Sequence, residues 1–496
     1  MTTFIEILGS GFTAFFSYKA YVILPAFMLI LAFAARMKAS DALRSAIQIG
    51  AGFAGIFVVF TFFVSQISPA IDSIIKVRGL DYPVLDIGWP PLAAITWSAS
   101  LTPLAIALAM LVNLAMLATR MTRNLYVDLW NYWHFAFLGV IIQGATGSVF
   151  LGIASVVLIT VYTIKCAEWS APHVLRETGL DGIAVSPLSV AGLLPYAVCV
   201  DWLFDRVPGL RRLSWNPSRK RNIGGDASGS ESGGSESGGS ESGGSADAAS
   251  AIGESSREKT AAIPAAESLL GEPMVIGFLV GAFLAFLAGY GIRELLEMAV
   301  NIAAVMFLLP RCGGLIGEGM GAVSRAVKEL VERKFPSFTG LSIAMDTGFL
   351  MTNPSVIATG LILMPISLAL AFILPGNRVI PVGDLPNLIS IMSLTVLILR
   401  GNVIRAVLAA LPVLATFLWF SSSLSPVFTR EALKAGMDVG ASGREITAFT
   451  DGGNQLRFWL YHLFQGNPYA IAALPLAAAL VFFAWKAHRA SMRKAV

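Results

Sequence analysis

Charge is what this sequence is short of. Asp, Glu, Lys and Arg make up 13% of its 496 residues, against about 25% in soluble domains. The deficit runs along nearly the whole length, and 55% of the residues are hydrophobic. Such a chain is no soluble enzyme; it reads as an all-α polytopic membrane protein. The net charge of +4 is small, and the basic residues gather in short loops, where they report membrane orientation and not a nucleic-acid partner. Cysteine is scarce too. Cys166, Cys199 and Cys312 lie far apart, in or beside apolar segments, which excludes a disulfide scaffold and reads as small buried hydrophobes. The four histidines show no metal-ligand spacing. There is no phosphate-binding Gly–Lys loop, no Ser/His/Asp set and no metalloprotease pattern, so no catalytic residue, metal or cofactor is expected. The first apolar stretch lacks a basic leader and a small-residue cleavage site, so no cleavable signal is expected.

What is present is a series of apolar runs. A spanning helix needs about 20 mostly apolar residues. Candidates cover 19–36, 45–70, 99–119, 131–164 (long enough for two short spans), 187–206, 273–290, 294–312, 354–375, 386–400, 402–422 and 469–486. About eleven transmembrane helices are expected. One break interrupts them. After Pro208 the chain turns strongly basic, "GLRRLSWNPSRKRN", and then repeats Ser-Glu-Ser-Gly-Gly. That composition has nothing to bury and predicts a flexible tether. The 45 residues from Asn222 to Ala266 would reach roughly 35–40 Å as a random coil. Residues 1–207 then form a first repeat, 208–270 the basic segment and tether, and 271–496 a second repeat with a final helix and basic tail. The basic run after Arg206, the tail, and Arg36, Lys38 and Arg44 all read as cytoplasmic, which puts the N-terminus outside and the C-terminus and tether inside.

The two halves echo each other. Asp86-Ile87-Gly88 in the first is matched by Asp346-Thr347-Gly348 in the second, and Asp128-Leu129-Trp130-Asn131 by Asp384-Leu385-Pro386-Asn387, at offsets of 260 and 256 residues. Paired repeats with Gly/Pro-interrupted segments at matching places are the mark of transporters, whose sites lie at the repeat interface. In "LDIGWPPLAAITW", Gly88 and Pro90-Pro91 forbid a continuous helix. "MDTGFLMTNPSVIATG" has the same character around Asn353-Pro354. Both read as re-entrant segments dipping toward a central site; polar surface loops are the alternative.

The polar residues of these segments define a candidate site: Asp86, Asp346, Asn131, His134 and Asn353, with Trp89 as a flat face. Carboxylates, amides and imidazole suit neutral polyhydroxylated solutes, because each hydroxyl both donates and accepts. Intramembrane ionisable residues are functional candidates by default. Trp97, Trp130 and Trp133 offer either sugar-stacking faces or membrane-interface anchors. Asp128 and Asp384 each precede an apolar helix, where an N-capping role competes with solute contact. The glycine-rich run Gly313–Val323 reads as close helix packing.

The strings "VDLWNYWHFAFLG", "VNLAMLATRMTRN", "DIGWP", "GEPMVIGFLVGAFLAFLAGY", "PGNRVIPVGDL" and "RGNVIR" resemble the galactitol-specific IIC components of the bacterial phosphoenolpyruvate-dependent phosphotransferase system, within the ascorbate–galactitol superfamily. The resemblance covers nearly everything except the tether. It implies an eleven-helix homodimer whose core domain moves against a dimerisation domain. It also implies group translocation: the IIC permease presents a sugar or hexitol to a separate IIB protein, which carries a phosphocysteine recharged through IIA and HPr. Carried over by residue, the superfamily's substrate site corresponds to Ile87 and Gly88 after Asp86, to His134, Phe135 and onward to Leu138, and to Asp346. One departure stands out. Where family members often carry a Pro-His-Gly run, this chain has Ser186-Pro187-Leu188, which opens the choice of solute to related polyols. A proton-coupled secondary transporter of the same fold, working through Asp86, Asp346 or His134, is the alternative reading.

Overall fold

The computed structural model describes residues 20–78, 82–126, 128–218, 273–334, 341–350, 353–437 and 444–494. The tether, residues 1–19 and the end of the charged stretch at 335–340 lie outside the described residues, as do the side chains of Arg493 and Lys494 in the basic tail.

The first half begins with helices α1 (Ala20–Ala34) and α2 (Ala39–Arg78), followed by strand β1 (Val84–Asp86), α3 (Trp89–Ser98), α4 (Thr102–Ala118) and β2 (Asn124–Leu125). A 3-10 turn (Leu129–Tyr132) leads into α5 (Trp133–Thr146), then α6 (Val149–Thr178), β3 (Ile183–Val185), α7 (Leu188–Ala191), α8 (Leu194–Arg206) and the short α9 (Pro208–Arg212). The same order recurs in the second half: α10 (Pro273–Leu287), α11 (Ile292–Lys334), β4 (Ser342–Met345), a 3-10 turn (Thr347–Leu350), α12 (Pro354–Ile373) and β5 (Val379–Ile380). It continues through α13 (Asn387–Ile398), α14 (Val403–Lys434), β6 (Glu445–Thr447), α15 (Phe449–Gly452) and α16 (Gln455–Phe464). Two further helices, α17 (Pro468–Ala472) and α18 (Leu474–Lys494), end the chain's described part.

Among the described residues seven helices are long and apolar enough to cross a bilayer, or eight if the bent pair α3–α4 is one span. The other apolar helices α1, α5, α10 and α13 have 15, 14, 15 and 12 residues, short of the about 20 a full crossing needs. Among the described residues, length and apolarity therefore support seven or eight crossings and do not confirm eleven. The long run 131–164 is divided, as its length suggested: α5 ends at Gly147 in the left-handed region, and the Ser148 hydroxyl accepts from Leu151 N to start α6.

The break between α3 and α4 bends the pair by 97°. Pro90 and Pro91 sit in the first turn of α3, where a missing N–H costs nothing, and Gly88 before them has φ 73°. The carbonyl freed at the bend is recovered: Thr96 O accepts from Ala99 N at 3.0 Å and from the Thr102 hydroxyl at 2.5 Å. Broken backbone at membrane depth needs such partners. The same need accounts for the short strands, which the apolar pattern does not announce. They form two parallel sheets, in the orders β5–β1–β6 and β2–β4–β3. Val84 pairs with Val379 and Glu445; Ile343 pairs with Leu125 and Ile183. Each sheet takes its middle strand from one half and both flanks from the other. An approximate two-fold relation between the halves produces this exchange.

Helices α2 and α11 pack along each other more extensively than any other pair, with α1 and α10 alongside. Small residues allow the approach: a Cβ on Gly52 would lie 2.6 Å from Cys312 O, and one on Gly319 2.7 Å from Ser45 O. Gly313 faces the Trp89 ring, so within the glycine-rich run Gly313 and Gly319 serve packing. Where the two broken segments cross, Gly383 is pressed against Asp86 O at 2.6 Å and Gly88 N at 2.7 Å, measured from an added Cβ. Both neighbours are backbone. Gly383→Ala should therefore destabilise the protein by about 1–3 kcal/mol, read as a lower melting temperature in detergent. Gly348→Ala, where an added Cβ meets nothing within 4 Å, should stay within about 0.5 kcal/mol of wild type. Equal melting temperatures would refute the close crossing.

Candidate functional site

The two Asp-x-Gly segments form the same local turn. Asp86 Oδ1 accepts from Gly88 N at 3.2 Å, and Asp346 Oδ1 accepts from Gly348 N at 3.2 Å. Around each turn the opposite half supplies an Asp-x-x-Asn segment, and the two assemblies then differ.

Around Asp86 the polar groups are spent on the fold. Asp86 also accepts from Phe449 N at 2.9 Å and Asp384 N at 3.0 Å. Asp384 accepts from Trp89 N at 3.2 Å, from Thr450 N at 3.0 Å and from the Thr450 hydroxyl. These N–H groups open α3 and α15, and they would otherwise be unpaired. Asp384 thus caps helices from elsewhere in the chain, not the one it precedes, whose N-cap is Pro386. Asp86 and Asp384 are 2% and 1% exposed. Ile87 N is bonded to Thr447 O at 2.8 Å, and Ile87 is fully buried.

Around Asp346 the cluster keeps one exposed carboxyl group, that of Asp346. Asn131 Nδ2 donates to Asp128 Oδ2 at 2.7 Å and to Asp346 Oδ2 at 2.9 Å, with Ser186 Oγ at 3.3 Å. The Ser186 hydroxyl donates to Asp128 Oδ2 at 2.5 Å. Asn131 and Ser186 are buried, Asp128 is half-buried and Asp346 is exposed. The Asp128 side chain makes no capping bond to the turn it precedes. Two carboxyl groups, an amide and a hydroxyl from both halves therefore converge on one exposed mouth. Each carboxylate has lone pairs to spare for hydroxyl donors.

His134 joins a different group. Its Nδ1 meets the Arg457 guanidinium and lies 3.5 Å from Asp451 Oδ1. Arg457 Nη1 donates to Asp451 O at 2.7 Å and Oδ1 at 3.2 Å. A guanidinium only donates, so Nδ1 of His134 accepts and the ring proton sits on Nε2. The ring stacks on Trp133 with centroids 4.0 Å apart, and His134 is 3% exposed. Among the described residues it shares no hydrogen bond with Asp128, Asn131 or Asp346. Its counterpart by offset, Ser390, bonds the Thr347 hydroxyl at 2.6 Å, close to Asp346.

The remaining candidates fall elsewhere. Phe135 packs with Tyr126 and Tyr132, and Leu138 is fully buried. Trp89 and Trp130 meet edge to face at 5.9 Å, and Phe53 of α2 lies against Trp130, so these rings form the seam between the α2–α11 pair and the broken segments. Trp97 is buried. Asn353 is the N-cap of α12, accepting from Ser355 N and Val356 N and from the Ser218 hydroxyl at 2.8 Å. Sequence reasoning named Ser186 only as part of a departure from the family's run, and it passed over Thr450, Asp451 and Arg457. Their signal was the polar string Thr450–Arg457, "TDGGNQLR", set between two apolar runs. A cavity of about 910 Å³ between α6, α14, α16 and α18 is walled by Trp169, Trp459, Leu463, Phe482 and Trp485. Its apolar walls suit hydrocarbon, and none of the carboxyl groups above lines it.

Residues 14–443 match the EIIC-GAT family, described as the PTS system sugar-specific permease component. The chain is similar to the "PTS system galactitol-specific EIIC component" of Escherichia coli strain K12, at 29% identity over 477 residues that cover 95% of each chain. The protein of the same description from Escherichia coli O157:H7 gives the same identity and coverage.

Proposed function

The chain belongs to the EIIC-GAT family of PTS sugar-specific permease components, a polytopic membrane protein of the sugar phosphotransferase system, and from that premise we propose that its solute is a hexitol such as galactitol. The observation that carries the reading is the mouth formed by Asp346, Asn131, Asp128 and Ser186. Its two carboxyl groups, held in place by Asn131 and Ser186, offer acceptors to the hydroxyl donors of a polyol. The names of the curated relatives supply the solute. His134 and Phe135 to Leu138 follow Asn131 in the chain, on α5, and Asp86, Ile87, Gly88 and Trp89 belong to the mirrored turn. Asn353 holds the start of α12.

Transport is by group translocation. A separate IIB protein, recharged by IIA, gives its phosphoryl group to a solute hydroxyl: the new P–O bond forms as the donor's P–S bond breaks, and the departing cysteine thiolate of IIB takes up the hydroxyl proton. Phosphorylation turns a neutral solute into an anion. Beside Asp128 and Asp346 that anion is repelled, so modification itself empties the site. Residues 1–207 and 271–496 act as one permease domain, joined by 208–270 on the cytoplasmic side. The N-terminus faces outward, and the unit in the bilayer is a homodimer.

Reconstituted vesicles test the reading. Uptake of galactitol should require phosphoenolpyruvate, HPr, IIA and IIB together, and the internal product should be galactitol phosphate. Free galactitol accumulating under a proton gradient alone would sink it.

A further inference from the structure

The near two-fold relation makes one difference between the halves informative. In the first half α5 ends at Gly147 with φ 70°, and Ser148 caps α6. In the second half Gly401 also has φ 70°, and Asn402 caps α14 in the same way. Both pairs are offset by 254 residues. Among the described residues a Cβ on Gly147 would meet nothing within 4 Å, whereas one on Gly401 would lie 2.9 Å from Asn216 Nδ2. The chain itself fills the second position. Asn402 Nδ2 donates to Leu213 O at 2.7 Å, Val403 N to Trp215 O at 2.8 Å, and Asn216 Nδ2 to Arg400 O at 2.7 Å. The Ser218 hydroxyl completes the strap on Asn353 and Ser355, at 2.8 and 2.9 Å.

At the first-half position lies a cavity of about 470 Å³, lined by Ser98, Ser100, Gln143, Gly147, Glu431 and Lys434. Its size falls within the usual range for small-molecule sites, about 300–1,000 Å³. Ser98 donates to Ala94 O at 2.8 Å and keeps its acceptor capacity. The Gln143 amide has no side-chain hydrogen bond among the described residues. Glu431, paired with Lys434 at 2.7 Å, places a carboxylate over Gly144. At the corresponding place in the other half, amide and hydroxyl groups of the strap make the bonds that this lining holds out.

We propose that this cavity is a second solute subsite, where a polyhydroxylated solute is held before it reaches the Asp346 mouth. The proposal rests on the hexitol reading above. The two places sit at opposite ends of α5: Gln143 is ten residues beyond Trp133, about 15 Å along the axis. Solute captured at the cavity has one helix to follow to the Asp346 cluster.

Purified full-length protein and galactitol test it. In the Ser100→Cys variant, saturating galactitol should slow alkylation of the introduced thiol at least fivefold, above the background of wild type with its three native cysteines. Ser100→Trp, which fills the cavity, should cut the initial uptake rate at least tenfold. It should change equilibrium galactitol binding at the Asp346 cluster less than threefold. Protection together with selective loss of uptake supports the subsite. If galactitol binds wild type but leaves the thiol unprotected, the subsite is overturned and the hexitol reading stands. If wild type binds no galactitol, both fall together.

Discussion

Asp346→Ala should weaken galactitol binding at least about 100-fold while leaving the protein folded. Two hydroxyl-to-carboxylate bonds at roughly 1.5–3 kcal/mol each are lost, and each 1.4 kcal/mol is tenfold in affinity. Asn131 keeps its bond to Asp128, so the rest of the mouth persists. The mirrored substitution should behave in the opposite way. Asp86 accepts from three backbone N–H groups, those of Gly88, Phe449 and Asp384, and is buried. Asp86→Ala leaves those donors without partners, at about 1–3 kcal/mol apiece, so it should lower the melting temperature sharply. Calorimetric titration and thermal unfolding of the two variants, side by side, check the assignment. Wild-type affinity in Asp346→Ala would show that the open cluster does not hold the solute.

That contrast marks the boundary of what sequence reading reached. Asp86-x-Gly88 and Asp346-x-Gly348 are visible as a repeated string, and both fold into the same turn. Which of the two is sealed follows from how the halves pack, and nothing in either string records it. Asp128 and Asp384 illustrate a second limit. A carboxylate before an apolar helix predicts a local cap, but Asp384 caps segments 295 and 66 residues away. Local rules do not see donors that only tertiary contact brings close. The strands escaped because two to four residues carry no measurable alternation; they exist to satisfy broken backbone. The helices were legible wherever an apolar run was long. The glycines of α2 and α11 were legible as packing, because close approach is what a glycine in an apolar helix permits.

Arg457→Ala carries the second large effect, and it falls on stability. Arg457 is 1% exposed and paired with Asp451 at 3.2 Å, itself 2% exposed. An exposed pair would cost under about 1 kcal/mol to break. A buried one costs about 3–5 kcal/mol, because the surviving partner is left charged in a low-dielectric interior. Besides Arg457, the neutral side chains of Ser189 and Asn387 hydrogen-bond to Asp451, and neither supplies the opposite charge. The double variant Asp451→Asn/Arg457→Met removes both charges and keeps most of the volume, so it should recover the greater part of the loss. Recovery in the double variant, with the single variant unfolding at a much lower temperature, identifies the pair as a structural tie between α15 and α16. A single variant as stable as wild type would mean the guanidinium is not committed to Asp451. Because Arg457 also fixes which ring nitrogen of His134 carries the proton, the double variant gives a separate readout. With stability restored and the imidazole no longer held, any fall in galactitol uptake isolates what the orientation of His134 contributes to transport.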